Sequence, residues 1–164
     1  MTEPPAFDPQ PLLRALSEHD VRFVLIGGFA AVYHGAANLT FDIDITPESS
    51  ARNLERLSAA LTEIGAKVRT EGDVVPFAHD GRSLGRATVW NLTTPHGDLD
   101  ITFTPSGTAG YDDLHRDATR VEVLGVVVEV ASLADVVRSK EAADRPKDRL
   151  ALPLLRRLLD EQGS

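Results

Sequence analysis

Three observations in this sequence predict an α/β (α+β) domain, a mixed β-sheet flanked by helices. FDIDIT (41–46) and DLDITF (98–103) alternate apolar and polar residues with the period of two that marks half-buried strands. Between them, Leu54, Leu57, Leu61 and Ile64 recur at helical spacing. Beyond residue 131 the patterns are helical and leucine-rich. With 164 residues, 42% of them hydrophobic and 26% charged, the chain has enough material for one good core and too little for two. A single domain over 1–164 is therefore expected, with a core at about 20–131 and a C-terminal helical part at about 132–164.

Taken in order, Leu12, Leu13 and Leu16 place a first helix over 9–19. Residues 22–26 read as a buried strand stopped by Gly27 and Gly28, and FAAVYHGAA as a short helix of small residues. In the strand that follows, Phe41, Ile43 and Ile45 are expected to face the core, and Pro47 to close it. A helix over 48–64 has Ser49 or Ser50 as N-cap and Gly65 as its stop. A strand at 66–69 follows, and the Gly- and Asp-rich stretch 71–86 reads as a surface loop. ATVWNLTT (87–94), a PHG turn and DLDITF form a hairpin, and TRVEVLGVVVEV (119–130) forms a second one turning at Leu124 and Gly125. A short helix at 111–116 lies between them. Ser132, three residues before Asp135, opens a helix to about Ala143. Pro146 interrupts, and the last helix is expected to break or restart at Pro153.

Composition excludes several chemistries. No cysteine is present, so disulfides, thiol catalysis and Cys-ligated zinc are ruled out. The N-terminal MTEPPAFDPQ lacks the basic and apolar regions of a secretory signal, and no apolar run approaches the ~18 residues that span a bilayer. A cytoplasmic location without a membrane partner is expected. The net charge of −8 argues against non-specific nucleic-acid binding. From Arg138 to Arg157, however, seven basic residues stand against three acidic ones, either to meet an anionic ligand or as a solvated helix face.

The candidate chemistry lies in the acidic strands. Side chains at i and i+2 of a strand share a face, so Asp42 and Asp44 project together. Two carboxylates so close repel, and a hard divalent cation removes the conflict. Asp98 and Asp100 repeat the arrangement, and if the two strands are neighbours a third carboxylate reaches the same place. Taken singly, each pair also reads as the acidic outer face of a half-exposed strand. Gly27 and Gly28, between strand and helix, expose backbone N–H groups without a Cβ in the way of an anion. They read equally as a tight turn. They form neither a P-loop nor a dinucleotide fingerprint.

Glycine turn, short helix and DxD strand, with thirteen residues between Gly28 and Asp42, resemble the nucleotidyltransferase superfamily of the DNA polymerase β type. GGFAAVYHG followed by Thr40, Asp42 and Asp44 is similar in particular to minimal nucleotidyltransferases and AbiEii-type toxins, as are Ala131, Ser132 and Leu133 followed by Lys140, Arg145, Lys147 and Asp148. Where relatives commonly carry Arg two residues before the threonine, this chain has Asn38. The resemblance implies transfer of a nucleoside monophosphate from an NTP to an acceptor hydroxyl. It implies Mg²⁺ or Mn²⁺ held by Asp42, Asp44 and Asp100, which are also the catalytic residues, with Asp100 able to accept the acceptor's proton. Gly27, Gly28, Thr40 and Lys140 would bind the nucleotide. The acceptor is left open between tRNA, a protein hydroxyl and a small molecule of the antibiotic type, and a cognate antitoxin is an implied partner. A nucleotide- or partner-binding module with the same fold is the other reading. Asp148 is expected to pair with Arg145 or Lys140, and His34 to pack or hydrogen-bond.

Overall fold

The computed structural model describes residues 7–36, 40–72 and 77–163. The first helix, α1 (Pro9–Glu18), starts where the Asp8 carboxylate accepts the Gln10 N–H at 3.3 Å and Pro9 supplies a φ already suited to the first turn. Its Leu12, Leu13 and Leu16 are fully buried. The buried strand β1 (Phe23–Ile26) runs directly into α2 (Gly27–Tyr33), and the chain returns as β2 (Asp42–Pro47). Helix α3 (Ala51–Glu63) is capped by Ser50, whose hydroxyl accepts the Asn53 N–H at 3.3 Å. Asn53 is itself buried. Its amide accepts from Arg22 N–H at 2.8 Å and donates to the Arg22 and Glu48 carbonyls, tying the start of β1 to the end of β2.

After β3 (Lys67–Val68) a short helix, α4 (Gly81–Leu84), interrupts the stretch expected to be loop. Its reason is a reciprocal cap, in which the Asp80 carboxylate accepts the Ser83 N–H at 2.8 Å and the Ser83 hydroxyl accepts the Asp80 N–H at 3.0 Å. Leu84 then inserts fully into the core, and its carbonyl accepts the Trp90 indole N–H at 2.9 Å. The hairpin β4 (Val89–Thr94) and β5 (Gly97–Thr102) follows, then α5 (Tyr111–Asp117) and the hairpin β6 (Thr119–Val123) and β7 (Val126–Val130). Helix α6 (Leu133–Ala143) is capped by Ser132 as expected, and α7 (Pro146–Gln162) ends the described chain. α7 runs unbroken through Pro153, against expectation. Pro153 lies on the exposed side of the helix, where the carbonyl it leaves unpaired can turn to water.

The strands among the described residues join one mixed sheet in the order β3-β4-β5-β2-β1-β7-β6. β1 pairs antiparallel with β2 and parallel with β7, while β2 pairs parallel with β5. The register sets Asp42 opposite Asp98, Ile43 opposite Leu99, Asp44 opposite Asp100 and Ile45 opposite Ile101. One face of these central strands is thus apolar and fully buried, and the other carries four aspartates. Phe41 departs from the expected inward direction. It precedes the first paired residue of β2 and is 68% exposed, because alternation constrains a side chain only where the ladder holds it.

Candidate active site

The site begins where β1 ends. Ile26 lies opposite Asp44 in the sheet, so the turn into α2 passes over the Asp44 carboxylate. Gly27 has φ +68°, and a Cβ there would overlap that carboxylate. The glycine is required twice, for its backbone and for its missing side chain. Gly28 lies beside Thr40, whose hydroxyl donates to Asp42, to its carbonyl at 3.2 Å and its Oδ1 at 3.3 Å. Thr40 in this structure therefore braces the acidic strand. Among the described residues no side chain caps the first turn of α2. Asn38 lies outside the described residues.

Asp42, Asp44 and Asp100 converge, each placing a carboxylate oxygen within 4.8 Å of the others. They lie in a cleft of about 960 Å³ that also takes in Gly27, Gly28, Thr40, Lys140, Arg145 and Lys147. Burial, then the neighbouring charges of Asp42 and Asp100, push the Asp44 carboxyl up to about 7. Lys147 acts in the opposite direction and is not strong enough to restore it. Burial also raises Asp100, against the attraction of Arg69. Three oxygen donors, close together and short of positive charge, fit a hard divalent cation.

The basic segment is largely consumed by ion pairs. Asp148 is fully buried and accepts from Arg145 Nε at 2.7 Å, from Arg145 Nη2 at 3.2 Å and from Lys140 Nζ at 3.5 Å. Burial disfavours its charge, but these partners outweigh burial and hold it below the usual carboxylate range. Lys140, the residue expected to reach a triphosphate, lines the cleft with its side chain 13% exposed and turned to Asp148. Lys147, in the first turn of α7, lines the same cleft, is exposed and has no ion-pair partner among the described residues. Arg138, Arg149 and Arg156 are paired with Asp113 and Asp135, with Asp144 and with Glu141. His34 donates from Nε2 to the Ala131 carbonyl at 2.7 Å, tying α2 to the end of β7.

Residues 11–150 match the family described as "Nucleotidyl transferase AbiEii toxin, Type IV TA system". The chain belongs to the AbiEii nucleotidyltransferase family. Membership makes it a nucleotidyltransferase, in agreement with the resemblance read from its glycine turn and DxD strand. No curated protein matches this AbiEii sequence. Among solved structures, the lincosamide antibiotic adenylyltransferase LnuA, with lincomycin bound, superimposes with a TM-score of 0.61 at 16% identity, over 93% of this chain and 99% of that one. The antibiotic-resistance factor ANT(2'')-Ia gives 0.57 at 16% identity, over 89% and 79%. TM1012 from Thermotoga maritima, also assigned as a nucleotidyltransferase, gives 0.53 at 17% identity, over 93% and 90%. At such identities the likeness establishes the fold that the AbiEii chain shares with them.

One neighbour of the acidic cluster had no signal in the sequence. Arg69, just beyond β3, donates from Nη1 to Asp98 Oδ2 at 2.6 Å and from Nη2 to Asp100 Oδ1. Burial disfavours its cation, but the two aspartates outweigh burial and hold the guanidinium above its ordinary value. Asp98 thus spends its charge on Arg69 and stays out of the cluster. A lone arginine at the end of a two-residue strand fits no periodic pattern or motif, and only the strand order brings it to β5.

Proposed function

We propose that this chain transfers a nucleoside monophosphate from an NTP to an acceptor hydroxyl, using a divalent cation held by Asp42, Asp44 and Asp100. The convergence of those three carboxylates beside the Gly27 turn is the observation that carries the reading. When bound, Mg²⁺ or Mn²⁺ would supply positive charge to the phosphate oxygens and to the attacking and leaving oxygens of an in-line displacement. Gly27 and Gly28 line the cleft, and their backbone N–H groups are assigned to the terminal phosphates. Thr40 keeps Asp42 oriented. Lys147 is the available cation opposite the carboxylates, and Lys140 is assigned to the triphosphate beside it, turning from Asp148 when phosphate competes. Asp100 takes the proton as the acceptor O–H bond breaks. The acceptor oxygen then bonds to the α-phosphorus while the bond to the β-phosphate oxygen breaks, and pyrophosphate leaves.

The acceptor belongs to one of three classes: a tRNA end, a protein hydroxyl or a small hydroxylated molecule such as an antibiotic. The family description supports a role as a toxin with a cognate antitoxin. The deciding assay follows label from each of the four α-³²P-NTPs into bulk RNA, lysate protein and aminoglycosides, with Mg²⁺ or EDTA. Metal-dependent labelling that Asp44→Asn abolishes is the expected result. Asp100→Asn should lose transfer while retaining much NTP affinity, because its role is realised in the transition state. Lys147→Ala should chiefly weaken NTP binding. NTP binding of equal strength with and without EDTA, and no labelling of any acceptor, would establish a binding module instead.

A further inference from the structure

The reaction just described makes no use of Arg69, yet its guanidinium is in direct contact with one of the three carboxylates. Its backbone N–H donates to the Asn91 carbonyl at 3.0 Å, which fixes the root of the side chain against β4. From there the side chain crosses to β5 and bridges two aspartates that share a face, Asp98 at 2.6 Å and Asp100. The bridge is half-sheltered, with side-chain exposures of 33% for Arg69, 37% for Asp98 and 17% for Asp100. Four carboxylates therefore lie on adjacent strands in register, and only three of them join the cluster. The geometry points to Arg69 as a positioning residue that withdraws Asp98 from the metal-binding set and holds Asp100 within it.

The inference rests on the metal-dependent reading of the site. Without the bridge, Asp98 and Asp100 repel each other across one residue, and Asp100 can leave the orientation in which it faces Asp42 and Asp44. The planar fork of a guanidinium presents its donors to two carboxylates in a fixed geometry, which the rotatable donors of an ammonium do not. Removing Arg69 has two effects of opposite sign. The loss of a cation and the release of Asp98 make the site more negative, so a divalent ion binds more tightly. The loss of a fixed Asp100 slows transfer.

The test is a titration with Mn²⁺ alone, read by electron paramagnetic resonance, on wild type, Arg69→Ala, Arg69→Lys, Asp98→Asn and the Arg69→Ala/Asp98→Asn double variant. Transfer from α-³²P-NTP, or pyrophosphate release from Mn²⁺·NTP, is measured alongside. Arg69→Ala is expected to bind Mn²⁺ about tenfold more tightly and to lose at least about tenfold in kcat with little change in KM for the NTP. A residue that merely supports the fold would weaken both. The double variant should return to within about threefold of wild-type Mn²⁺ affinity, because the two charge changes cancel, while its kcat stays low. Arg69→Lys should recover part of the rate. If Arg69→Ala does not fold, Arg69→Lys and Asp98→Asn carry the test, the first slow and the second within about threefold of wild-type kcat. Mn²⁺ affinity and kcat both within about twofold of wild type in Arg69→Ala, or in Arg69→Lys and Asp98→Asn together, would overturn the role given to Arg69 alone. Wild-type Mn²⁺ binding that is absent, or unaffected by Asp44→Asn, would overturn the metal reading and this inference with it.

Discussion

Asp44 is held against Gly27 with Asp42 and Asp100 at ligand distance, and its carboxyl is raised from 3.8 to about 7, first by burial and then by those neighbours. In the unfolded chain the same group ionises near 3.8, so between the two values the folded metal-free protein keeps a proton that the unfolded chain has lost. Its contribution to stability is complete below 3.8, declines as pH rises toward 7, and is constant above. A cation that needs the ionised carboxylate must displace that proton. The rise in Tm produced by saturating Mg²⁺ or Mn²⁺ should therefore be larger at pH 8 than at pH 6, which thermal unfolding at the two pH values measures. A ligand-induced shift independent of pH would remove Asp44 from the metal site. The second residue-scale prediction concerns Gly27. Gly27→Ala meets a left-handed φ, costing about 1–2 kcal/mol, and also overlaps the Asp44 carboxylate. The variant should lose stability by that order in denaturant unfolding, and should lose Mn²⁺ affinity because Asp44 is displaced. Gly28→Ala meets Thr40 Oγ1 at 3.3 Å and ordinary backbone space, and should lose far less.

At the scale of elements, helices and strands were legible in the sequence wherever a period repeated. β2 and β5 were, because alternation fixes Ile43, Ile45, Leu99 and Ile101 inward and the aspartates outward. α4 was not, because four residues hold no period and only the Asp80–Ser83 exchange stabilises them. Phe41 escapes the alternation because it lies one residue before the ladder begins. α7 differs from expectation for an energetic reason. A proline in a helix interior costs about 3 kcal/mol relative to alanine, yet Leu152 and Leu155, on either side of Pro153, are buried in the core. The Asp148 cluster anchors the first turn as well. Their burial and pairing outweigh the cost, and the helix continues. Pro153→Ala should consequently stabilise the protein by about 1–3 kcal/mol, raising Tm by roughly 2–4 °C per kcal/mol. Calorimetry checks this, and an unchanged or lower Tm would mean that the proline sets a bend on which α7 depends.

For the whole molecule, β2 and β5 are adjacent only through long-range pairing, so the sequence could offer Asp42, Asp44 and Asp100 as a set while leaving their convergence conditional on β2 lying beside β5. It could not show how the charge of the C-terminal segment is used. Arg138, Lys140, Arg145, Arg149 and Arg156 are each paired with a carboxylate, so much of the apparent basic patch is neutralised within α6, α7 and their flanks on a protein of net charge −8. No helix among the described residues is long and apolar enough to cross a membrane. Among the described residues the cations lining the cleft are Lys140, Arg145 and Lys147. An RNA acceptor reaching the carboxylates would meet those three at most, and part of their charge is already spent on Asp148. Each neutralised phosphate contributes about −0.7 to −0.9 to the slope of log affinity against log salt, so binding of bulk tRNA should show a slope no steeper than about −3. Fluorescence anisotropy between 50 and 200 mM salt measures it, with Lys147→Ala flattening the slope by roughly one unit. A slope near −6 would require a nucleic-acid surface outside the cleft. No measurable tRNA binding, with metal-dependent NTP binding intact, would direct the search for an acceptor to small molecules and protein hydroxyls.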